Sequence, residues 1–463
     1  MLARSASHGK AGGEQSYCAH IAGTMRNVRE YLILWRPFLE ESVYQRVKAR
    51  LMMAAWLHDW GKLDPQNQMA LQQDAGRRRL PVPHQYAGAW YLYHVETDPY
   101  TAALISGHHA PGLPDLNAQI ADRVPFGERF VRTDADGEAL KRDTKEKFPL
   151  YWQRHLDAMG AEWIPSGCGQ IAPPQSALEL RVEVACLSAA DRGDARRWGE
   201  GKEKEEKRQS AAREEQEAER AAEWEKMTEQ LSGYLRRERK REEEIRFVED
   251  HFGEEAGEQN ISPRLYVWEN DPAQTDRLLR LLWGLRCAAR RNATQLFVIL
   301  PSQRAVTKIR RDLEGIFPTL QAESTVLCAG DVTPASGDST VGSPLDTSVG
   351  NLNMMIPGGG GRSAGEKAAI RLTTAKEFYR VLPANRLLYS RGREGFALCE
   401  LPGSVLLLEE FQETVSIAAL PLVWEWLALL QRDWGCAVLC SSGITARFWE
   451  TSLFRRQYEG KRP

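Results

Sequence analysis

The amino-acid sequence predicts a multidomain protein in which an all-α domain precedes an α/β lobe built on a parallel sheet. Residues 16–198 carry apolar residues at helical spacing, as in the run YQRVKARLMMAAWLHDW. After about residue 253, short apolar or β-branched runs alternate with longer helical ones, which is typical of a parallel sheet with crossover helices. The stretch between the two is rich in Glu, Lys, Arg and Ala and favours a solvated helix held by local ion pairs.

We therefore predict a helical domain over residues 1–198, a charged helical connector over 199–252 and an α/β lobe over 253–463. The connector has one short apolar stripe, which we expect to pack against another element. That stripe comprises Trp224, Met227, Leu231 and Leu235. Inside the lobe, a stretch rich in Gly, Ser, Thr and Pro at 330–366 predicts a long loop.

Bulk composition limits the classes of function. A net charge of -2 argues against a generally basic surface that coats nucleic acid, so contacts with DNA must come from local patches. The basic clusters of the lobe are 289–291, 308–312 and 455–462. The 8 cysteines include no C-x-x-C pair, which favours a reducing, cytoplasmic location over a zinc ribbon or a disulfide framework. We find no signal peptide and no apolar run of the roughly 18 residues that a membrane helix needs, so no membrane partner is expected.

Histidines are concentrated in the helical domain. Of the 9 in the chain, those between residues 20 and 109 are His20, His58, His84, His94, His108 and His109. Imidazole and carboxylate are the usual ligands of divalent transition metals. Two such ions about 3.5–4 Å apart can promote phosphodiester hydrolysis, provided that ligands converge from several helices and one carboxylate bridges. In chain order, the candidate ligands are His20, His58, Asp59, His84, His108, His109 and Asp191.

The pattern is more specific than its single residues. An isolated helical histidine is more often an ordinary polar residue than a ligand, and we assign His94 and His155 to that class. The His58–Asp59 doublet is followed by Gly61, which lets the chain turn sharply, and by Lys62, which can meet a phosphate as a point charge. A His–His pair after a glycine on a loop is also uncommon. Together these features predict a metal site.

The order H…HD-x-G-K…H…HH…D resembles the HD phosphohydrolase superfamily. Within that superfamily it is similar to the nuclease domain of the signature nuclease–helicase of type I CRISPR–Cas systems. The opening LARSAS and the later YCAHIAGTMRNV add to the resemblance, which covers about residues 1–200. It implies an all-α HD-type domain that binds one or two divalent transition-metal ions (Mn, Ni, Co or Fe) and cuts single-stranded DNA in antiviral defence. It also implies a crRNA-guided surveillance complex of the Cascade type as partner.

The same resemblance implies roles for individual residues. Asp59 would be the bridging carboxylate and Lys62 a group that contacts substrate or supports a ligand; both are therefore candidate catalytic residues. Asp194, three residues after Asp191, remains an alternative to it as ligand. The remaining implied ligands are His20, His58, His84, His108 and His109.

For the second half, the resemblance implies a RecA-like lobe of a superfamily 2 helicase with a degenerate nucleotide site. A phosphate-binding loop needs G-x-x-x-x-G-K-[ST], with glycines for close backbone approach and Lys for the phosphates. Here Pro272 stands in the loop and Gln274 precedes Thr275 where Lys is required. Glu409, followed by Glu410, stands where an Asp should hold Mg²⁺. We therefore expect no ATP cofactor and a lobe that binds DNA or an effector complex.

A second glycine-rich run resembles a phosphate loop only superficially. GGRSAGEK at 360–367 places Glu366 between the second glycine and Lys367, and that acid would repel phosphate. The run also lies in the predicted long loop, away from a strand–helix junction. We expect no nucleotide there.

Two other functions fit parts of the sequence. An HD phosphohydrolase acting on nucleotides would use the same ligands, but the helicase-like second half and the adjacent His pair favour DNA. A non-catalytic docking subunit of a CRISPR effector complex would keep the lobe and hold no metal. Metal content of the purified protein separates this last alternative from the nuclease.

Overall fold

The computed structural model is described here for most of the chain, in segments separated by gaps. These segments are 1–4, 13–73, 80–82, 84–96, 98–109, 147–160, 171–199, 213–239, 242–253, 265–269, 277–317, 326–328, 370–382, 398–416 and 418–442. The predicted long loop at 330–366, the run at 360–367 and the cluster at 455–462 lie outside them. No helix among these segments is long and apolar enough to cross a membrane.

The first part of the chain is helical, apart from a two-stranded antiparallel ribbon of β1 and β2 at its start. The ribbon pairs Leu2–Arg4 with Gln15–Ser16. Short helices of the 3-10 type cover Arg36–Phe38 and Trp60–Leu63. The α-helices are α1 Tyr17–Trp35, α2 Glu41–Leu57, α3 Pro65–Gln72, α4 Gln85–His94, α5 Pro99–Gly107, α6 Phe148–Met159 and α7 Ala177–Gly199.

Helix starts in this region follow local sequence signals. The Ser16 hydroxyl accepts from the Ala19 amide at 3.1 Å and begins α1. Asp64 accepts from the Gln66 amide and precedes Pro65, the first residue of α3. Such side chains satisfy amides that have no partner in the first helical turn. In the interior, α1 packs against α2 and α7, and the buried Arg50 of α2 bonds to Glu183 of α7 at 2.6 Å.

Helices also form the predicted connector. They are α8 Arg213–Tyr234, a π-helical turn Leu235–Arg239 and α9 Glu242–Gly253. The apolar stripe expected there is fully buried, and it packs on the first long helix of the second half, α10 Arg277–Arg291. The indole Nε1 of Trp224 donates to the Ala293 carbonyl at 3.0 Å. The second half of the connector is thus part of a hydrophobic core.

A six-stranded parallel sheet forms the second half, as the alternation of strands and helices predicts. Its strand order is β3-β8-β7-β4-β6-β5, and every paired register is parallel. The strands are β3 Leu265–Glu269, β4 Leu296–Leu300, β5 Val326–Cys328, β6 Ile370–Thr374, β7 Val405–Leu408 and β8 Ala437–Ser442. Besides α10, the helices are α11 Gln303–Ile316, α12 Ala375–Val381, α13 Phe411–Thr414 and α14 Leu420–Trp434, with a 3-10 turn at Leu398–Glu400.

Each face of the sheet belongs to a different hydrophobic core. Along β4, Phe297 and Ile299 face the core that contains the N-terminal helices, whereas Val298 and Leu300 face the core that contains α8 and α10. This alternation follows from the two-residue period of a strand. Burial on both faces explains why the central strands read as uninterrupted apolar runs.

Among the described residues, an apolar contact joins the helical region to the α/β lobe. The indoles of Trp35 and Trp434 meet edge to face with centroids 5.5 Å apart, and both are fully buried. Phe38 fills the space above Gly403 and Gly435, where a Cβ would lie 2.2 and 2.5 Å from its atoms. Both glycines have positive φ, so a larger residue is excluded by sterics and by backbone conformation alike.

We expect Trp434→Ala to destabilise both halves of the chain, because the indole belongs to the core they share. A cavity of this size costs about 3–5 kcal/mol. Hydrogen exchange should become faster in peptides from α1 as well as in peptides from β8. Leu422→Ala, on the same helix but 49% exposed, is the matched control and should change neither. Faster exchange confined to the sheet would show that the two halves do not share a core.

Candidate metal centre

The predicted ligands converge from five places in the helical region. His20 lies in the first turns of α1, and His58 and Asp59 follow the last residue of α2. His84 directly precedes α4, His108 and His109 directly follow α5, and Asp191 lies on α7. Most of these side chains therefore lie next to helix ends, from which they point toward a common site.

Asp59 is the centre of the arrangement, because its two carboxylate oxygens face different sets of imidazoles. Oδ2 lies 2.8 Å from Nε2 of His20 and 3.5 Å from Nε2 of His58. Oδ1 lies 3.3 Å from Nε2 of His84, whose Nε2 is 2.9 Å from that of His109. Within the described residues, two groups can each hold a metal ion with ligand atoms inside 4.8 Å, and both include Asp59.

Asp191 and Asp194 contact different atoms of the same imidazole. Oδ1 of Asp191 lies 3.4 Å from Nε2 of His20 and 4.0 Å from Nε2 of His58, on the side where the ligand atoms gather. Asp194 instead accepts a hydrogen bond from Nδ1 of His20 at 2.7 Å. Asp191 therefore lies beside the candidate ligand atoms, and Asp194 lies at the Nδ1 side of the His20 ring.

Backbone carbonyls orient two of the rings. Nδ1 of His58 donates to the Ala55 carbonyl at 2.8 Å, and Nδ1 of His108 donates to the Ile105 carbonyl at 2.5 Å. Carbonyls in the last turn of a helix have no partner within the helix, so a residue just past the end can use them. Each bond directs Nε2 toward the site. Nε2 of His108 is buried without a hydrogen-bond partner among the described residues, so it is available as a further donor, although His108 belongs to neither of the two metal-binding groups.

The electrostatics keep His58, His108 and Asp59 in the protonation states that bind cations, whereas His20 is shifted toward its protonated form by its two carboxylate neighbours. Burial lowers the pKa of His58 and lowers the pKa of His108 to about 4, so both imidazoles are neutral at neutral pH. Burial alone would raise the pKa of Asp59, but Lys62 and His58 hold it well below its usual range. For His20, burial and Lys62 lower the pKa, while the bonds to Asp194 and Asp59 outweigh them and raise it overall.

The residues after the doublet contact the site in two ways. Lys62, on the 3-10 turn, forms an ion pair with Oδ2 of Asp59 and is buried. Gly61 permits a close approach: a Cβ there would lie 2.6 Å from the His84 carbonyl oxygen. Gly88 of α4 likewise permits a close approach, because a Cβ there would lie 2.3 Å from the Leu57 carbonyl oxygen. Two glycines thus let the His84 segment lie against the end of α2.

Sequence reasoning missed residues of α7 that hold the His–His pair. The Ser188 hydroxyl donates to the His108 carbonyl, and the Arg192 guanidinium donates to the His109 carbonyl at 3.3 Å. With Asp191 they occupy one face of the helix, because residues three and four apart are neighbours. That spacing is visible in LSAADR, but a contact with a residue about 80 positions earlier is not.

The two histidines assigned to ordinary roles are the last residue of α4, His94, and a core residue, His155. His155 is fully buried, its Nδ1 lies 2.9 Å from the Tyr17 hydroxyl, and its ring meets Trp56 edge to face. It belongs to neither metal-binding group. Burial lowers the pKa of His155 to about 3.

We expect His155→Gln to reduce the loss of stability on acidification. The folded-state pKa lies below the usual value of 6.5, so the unfolded chain binds the extra proton and stability falls as pH drops from 6.5 toward 3. One such group contributes about 1.4 kcal/mol per pH unit in that window. Urea unfolding of metal-free protein between pH 7 and pH 5 measures the slope. An unchanged slope in the variant would show that His155 is not buried in its neutral form.

The residues proposed for a degenerate nucleotide site are only partly described. Gln274 and Thr275 lie outside the described residues. Glu409 follows the last residue of β7 and is buried. Its Oε1 accepts a hydrogen bond from Nε of Arg280, on α10, at 2.8 Å. The Ser441 hydroxyl donates to the same carboxylate at 3.3 Å. Glu410 follows in a left-handed conformation with φ 51°. The acid at the strand end is thus neutralised by a side chain of the same chain.

No protein-family model matches the chain, and no curated protein matches it either. Among solved structures, T. fusca Cas3 with AMPPNP is similar at 14% identity and a TM-score of 0.49, covering 100% of this chain and 52% of that one. T. fusca Cas3 with ATP is similar at 15% identity and 0.49, covering 98% and 52%. A CRISPR-associated protein is similar at 15% identity and 0.49, covering 96% and 52%. The chain spans about half the length of these solved proteins.

Proposed function

We propose that the chain is a metal-dependent nuclease that cleaves single-stranded DNA. In this proposal an HD-type domain at 1–198 carries the site, and a RecA-like lobe at 253–463 does not hydrolyse ATP. The position of Asp59 carries the proposal: one oxygen faces His20 and the other faces His84. A carboxylate common to two ligand groups is what a two-metal phosphodiesterase requires.

The donor set fits divalent transition metals. One side offers Asp59 with His20, His58 and Asp191, and the other offers Asp59 with His84 and His109. Nε2 of His108 adds a buried donor. Imidazole nitrogens mixed with carboxylate oxygens suit Mn, Fe, Co and Ni. When bound, such ions activate water and stabilise negative charge on a phosphodiester.

The surrounding residues prepare the site for an anionic substrate. Lys62 balances the charge of Asp59 and keeps a cation beside the place where phosphate would approach. His109 is the exposed member of the set and His84 is partly exposed, whereas His20 and His58 are fully buried. Substrate would therefore enter from the side of His84 and His109.

Support for DNA as the substrate comes from the sequence. The ordered motif with its adjacent His108 and His109 resembles DNA-cleaving HD domains, and the second half resembles a helicase lobe. A surveillance complex that presents unwound DNA is accordingly the proposed partner. Hydrolysis of free nucleotides is the alternative, and it would use the same ligands without needing the lobe.

The proposal that the lobe does not use ATP rests on the pair between Arg280 and Glu409. A carboxylate that already receives two guanidinium nitrogens and a hydroxyl has few oxygen lone pairs left for a magnesium ion. Because this acid is not available for magnesium, we assign the lobe to docking on DNA or on an effector complex rather than to translocation. Two residues of its basic clusters also have partners within the chain, since Arg291 donates to the Gly435 carbonyl and Arg310 pairs with Glu314.

Asp59→Ala should abolish cleavage of circular single-stranded DNA in Mn²⁺ without ATP, because both ligand groups lose their common member. We expect the cleavage rate to fall by at least about 100-fold, because mutation of residues that only support ligands already costs up to about that factor. Lys62→Ala should cost less, because it removes a charge and leaves the ligands. Gel analysis of the full chain and metal content per protein measure both effects.

Asp157→Asn, an exposed residue of α6 bonded to Gln153, is the matched carboxylate control and should cleave at the wild-type rate. Wild-type cleavage by Asp59→Ala would show that the site is wrongly assigned. Tight metal binding without cleavage of any nucleic acid would favour the docking subunit. Faster hydrolysis of nucleotides than of DNA would favour the phosphohydrolase.

We further expect no DNA-stimulated ATP turnover at helicase-like rates, on the order of one per second or more. The physical reason is that the acid needed for magnesium is bound to Arg280. The rate of phosphate release from ATP by the full chain, in the presence of single-stranded DNA, measures this turnover. Turnover that disappears in Glu410→Gln but persists in Glu413→Gln, an exposed neighbour, would contradict the proposal.

A further inference from the structure

His20 differs from the other buried imidazoles in how its ring is held. His58 and His108 bond to carbonyls at the ends of their own helices, but His20 lies inside α1, where the carbonyls are engaged by the helix itself. Its Nδ1 therefore donates to a carboxylate from another helix, Asp194 of α7, at 2.7 Å. A ligand ring supported in this way keeps its tautomer and direction.

Asp194 is in turn held by the N-terminal ribbon. The Gln15 side-chain amide donates to the same Oδ2 of Asp194 at 2.8 Å, and Gln15 is fully buried. Gln15 lies on β2, opposite Arg4 on β1. The three side chains Gln15, Asp194 and His20 thus form a continuous hydrogen-bonded chain from the ribbon to the candidate ligand atom.

A glycine makes the space for that carboxylate. Gly23 lies three residues after His20 on the same face of α1. A Cβ at this position would lie 1.8 Å from Oδ1 of Asp194 and 2.7 Å from its Cγ. No such contact is tolerated, so any other residue would push Asp194 away from the ring.

The ribbon is connected to two further parts of the site, one directly and one through Gln68. Arg4 lies 3.6 Å from Oδ1 of Asp191. The Leu2 amide and carbonyl bond to the Gln68 side chain, each at 2.8 Å, and the same Gln68 amide donates to the Lys62 carbonyl at 2.8 Å. The ribbon therefore contacts Asp194 behind His20 and the Asp191 carboxylate directly, and it is linked to the backbone of Lys62 through Gln68.

We propose that the β1–β2 ribbon is a positioning element of the metal centre and that Gln15 and Asp194, in the space left by Gly23, are positioning residues for His20. The inference rests on the proposed metal-dependent function. The bonds from Gln15 and to His20 hold Asp194 behind the imidazole, so that Nε2 faces Asp59 and Asp191, where an ion would bind. Asp194 is assigned as a support of a ligand, while Asp191 keeps the ligand position.

The test is Mn²⁺ affinity of the full chain, measured by the electron paramagnetic resonance signal of free Mn²⁺. Asp194→Asn and Gly23→Ala should each weaken binding on the order of 10–100-fold. Gln15→Ala should weaken it less, because the carboxylate remains. The double variant of Asp194 and Gly23 should be no weaker than the worse single variant, since both changes break one contact.

Two controls separate positioning from general damage. Gly315→Ala is a helical glycine whose Cβ would meet nothing within 4 Å, and it should bind Mn²⁺ like wild type. Alanine is also the better helix former, so weaker binding by Gly23→Ala would not reflect loss of helix. In the Co²⁺-loaded protein, the visible spectrum should shift for Asp194→Asn and not for Gly315→Ala. If Asp194→Asn does not fold, Gly23→Ala and Gln15→Ala test the same contact.

The outcomes distinguish this inference from the proposed function. Wild-type Mn²⁺ affinity in Asp194→Asn and Gly23→Ala, with binding lost in Asp59→Ala, would overturn the positioning role and leave the metal centre intact. Weakened binding in both variants, with no cleavage of DNA by wild type, would support the positioning role and overturn the nuclease. Absence of Mn²⁺ binding by wild type would overturn both.

Discussion

The buried carboxylate of Asp59 is the constraint on which the site depends. An ionised carboxylate out of water costs several kcal/mol unless charges and hydrogen bonds compensate it. Here the compensation comes from Lys62 and from imidazoles on both sides of the group. These partners are themselves held by carbonyls at helix ends, by α7 and by the N-terminal ribbon. The surrounding helices are thus arranged around one charge that has to be neutralised.

The second half contains a buried carboxylate that is neutralised in the opposite way. Glu409 is compensated by Arg280, a permanent cation whose guanidinium fills the space around it. A neutral imidazole has a nitrogen lone pair that can bind a metal ion. A guanidinium has no such lone pair, and it remains charged beside the carboxylate. The two buried carboxylates therefore have different surroundings: imidazoles that can bind a cation lie beside Asp59, whereas a permanent cation already neutralises Glu409.

Packing connects the two parts of the chain that hold these carboxylates. The hydrophobic core on one face of the sheet also contains residues of the helices that carry the ligands, and Trp35 of α1 meets Trp434 of α14 there, whereas α8 and α10 belong to the core on the other face. Phe38 packs over Gly403 and Gly435, which leaves no room for a side chain at either glycine. The helical region and the lobe therefore pack together through a shared hydrophobic core.

Local sequence was sufficient for the class of fold, and it nominated the candidate ligands. Helical spacing before residue 198 and apolar runs after 253 determine a helical part followed by a parallel sheet, because periodicity reports which face of each element is buried. The residue types of the His–Asp pattern likewise determined that a transition-metal site was the hypothesis to test. Tertiary structure alone decided how the set is divided about Asp59, that Asp194 lies behind His20, and that Gly61 serves a close approach. It also decided that Arg280 pairs with Glu409. These contacts join residues such as His20 and Asp194, which are 174 positions apart, and no local pattern records which distant side chain will share a core.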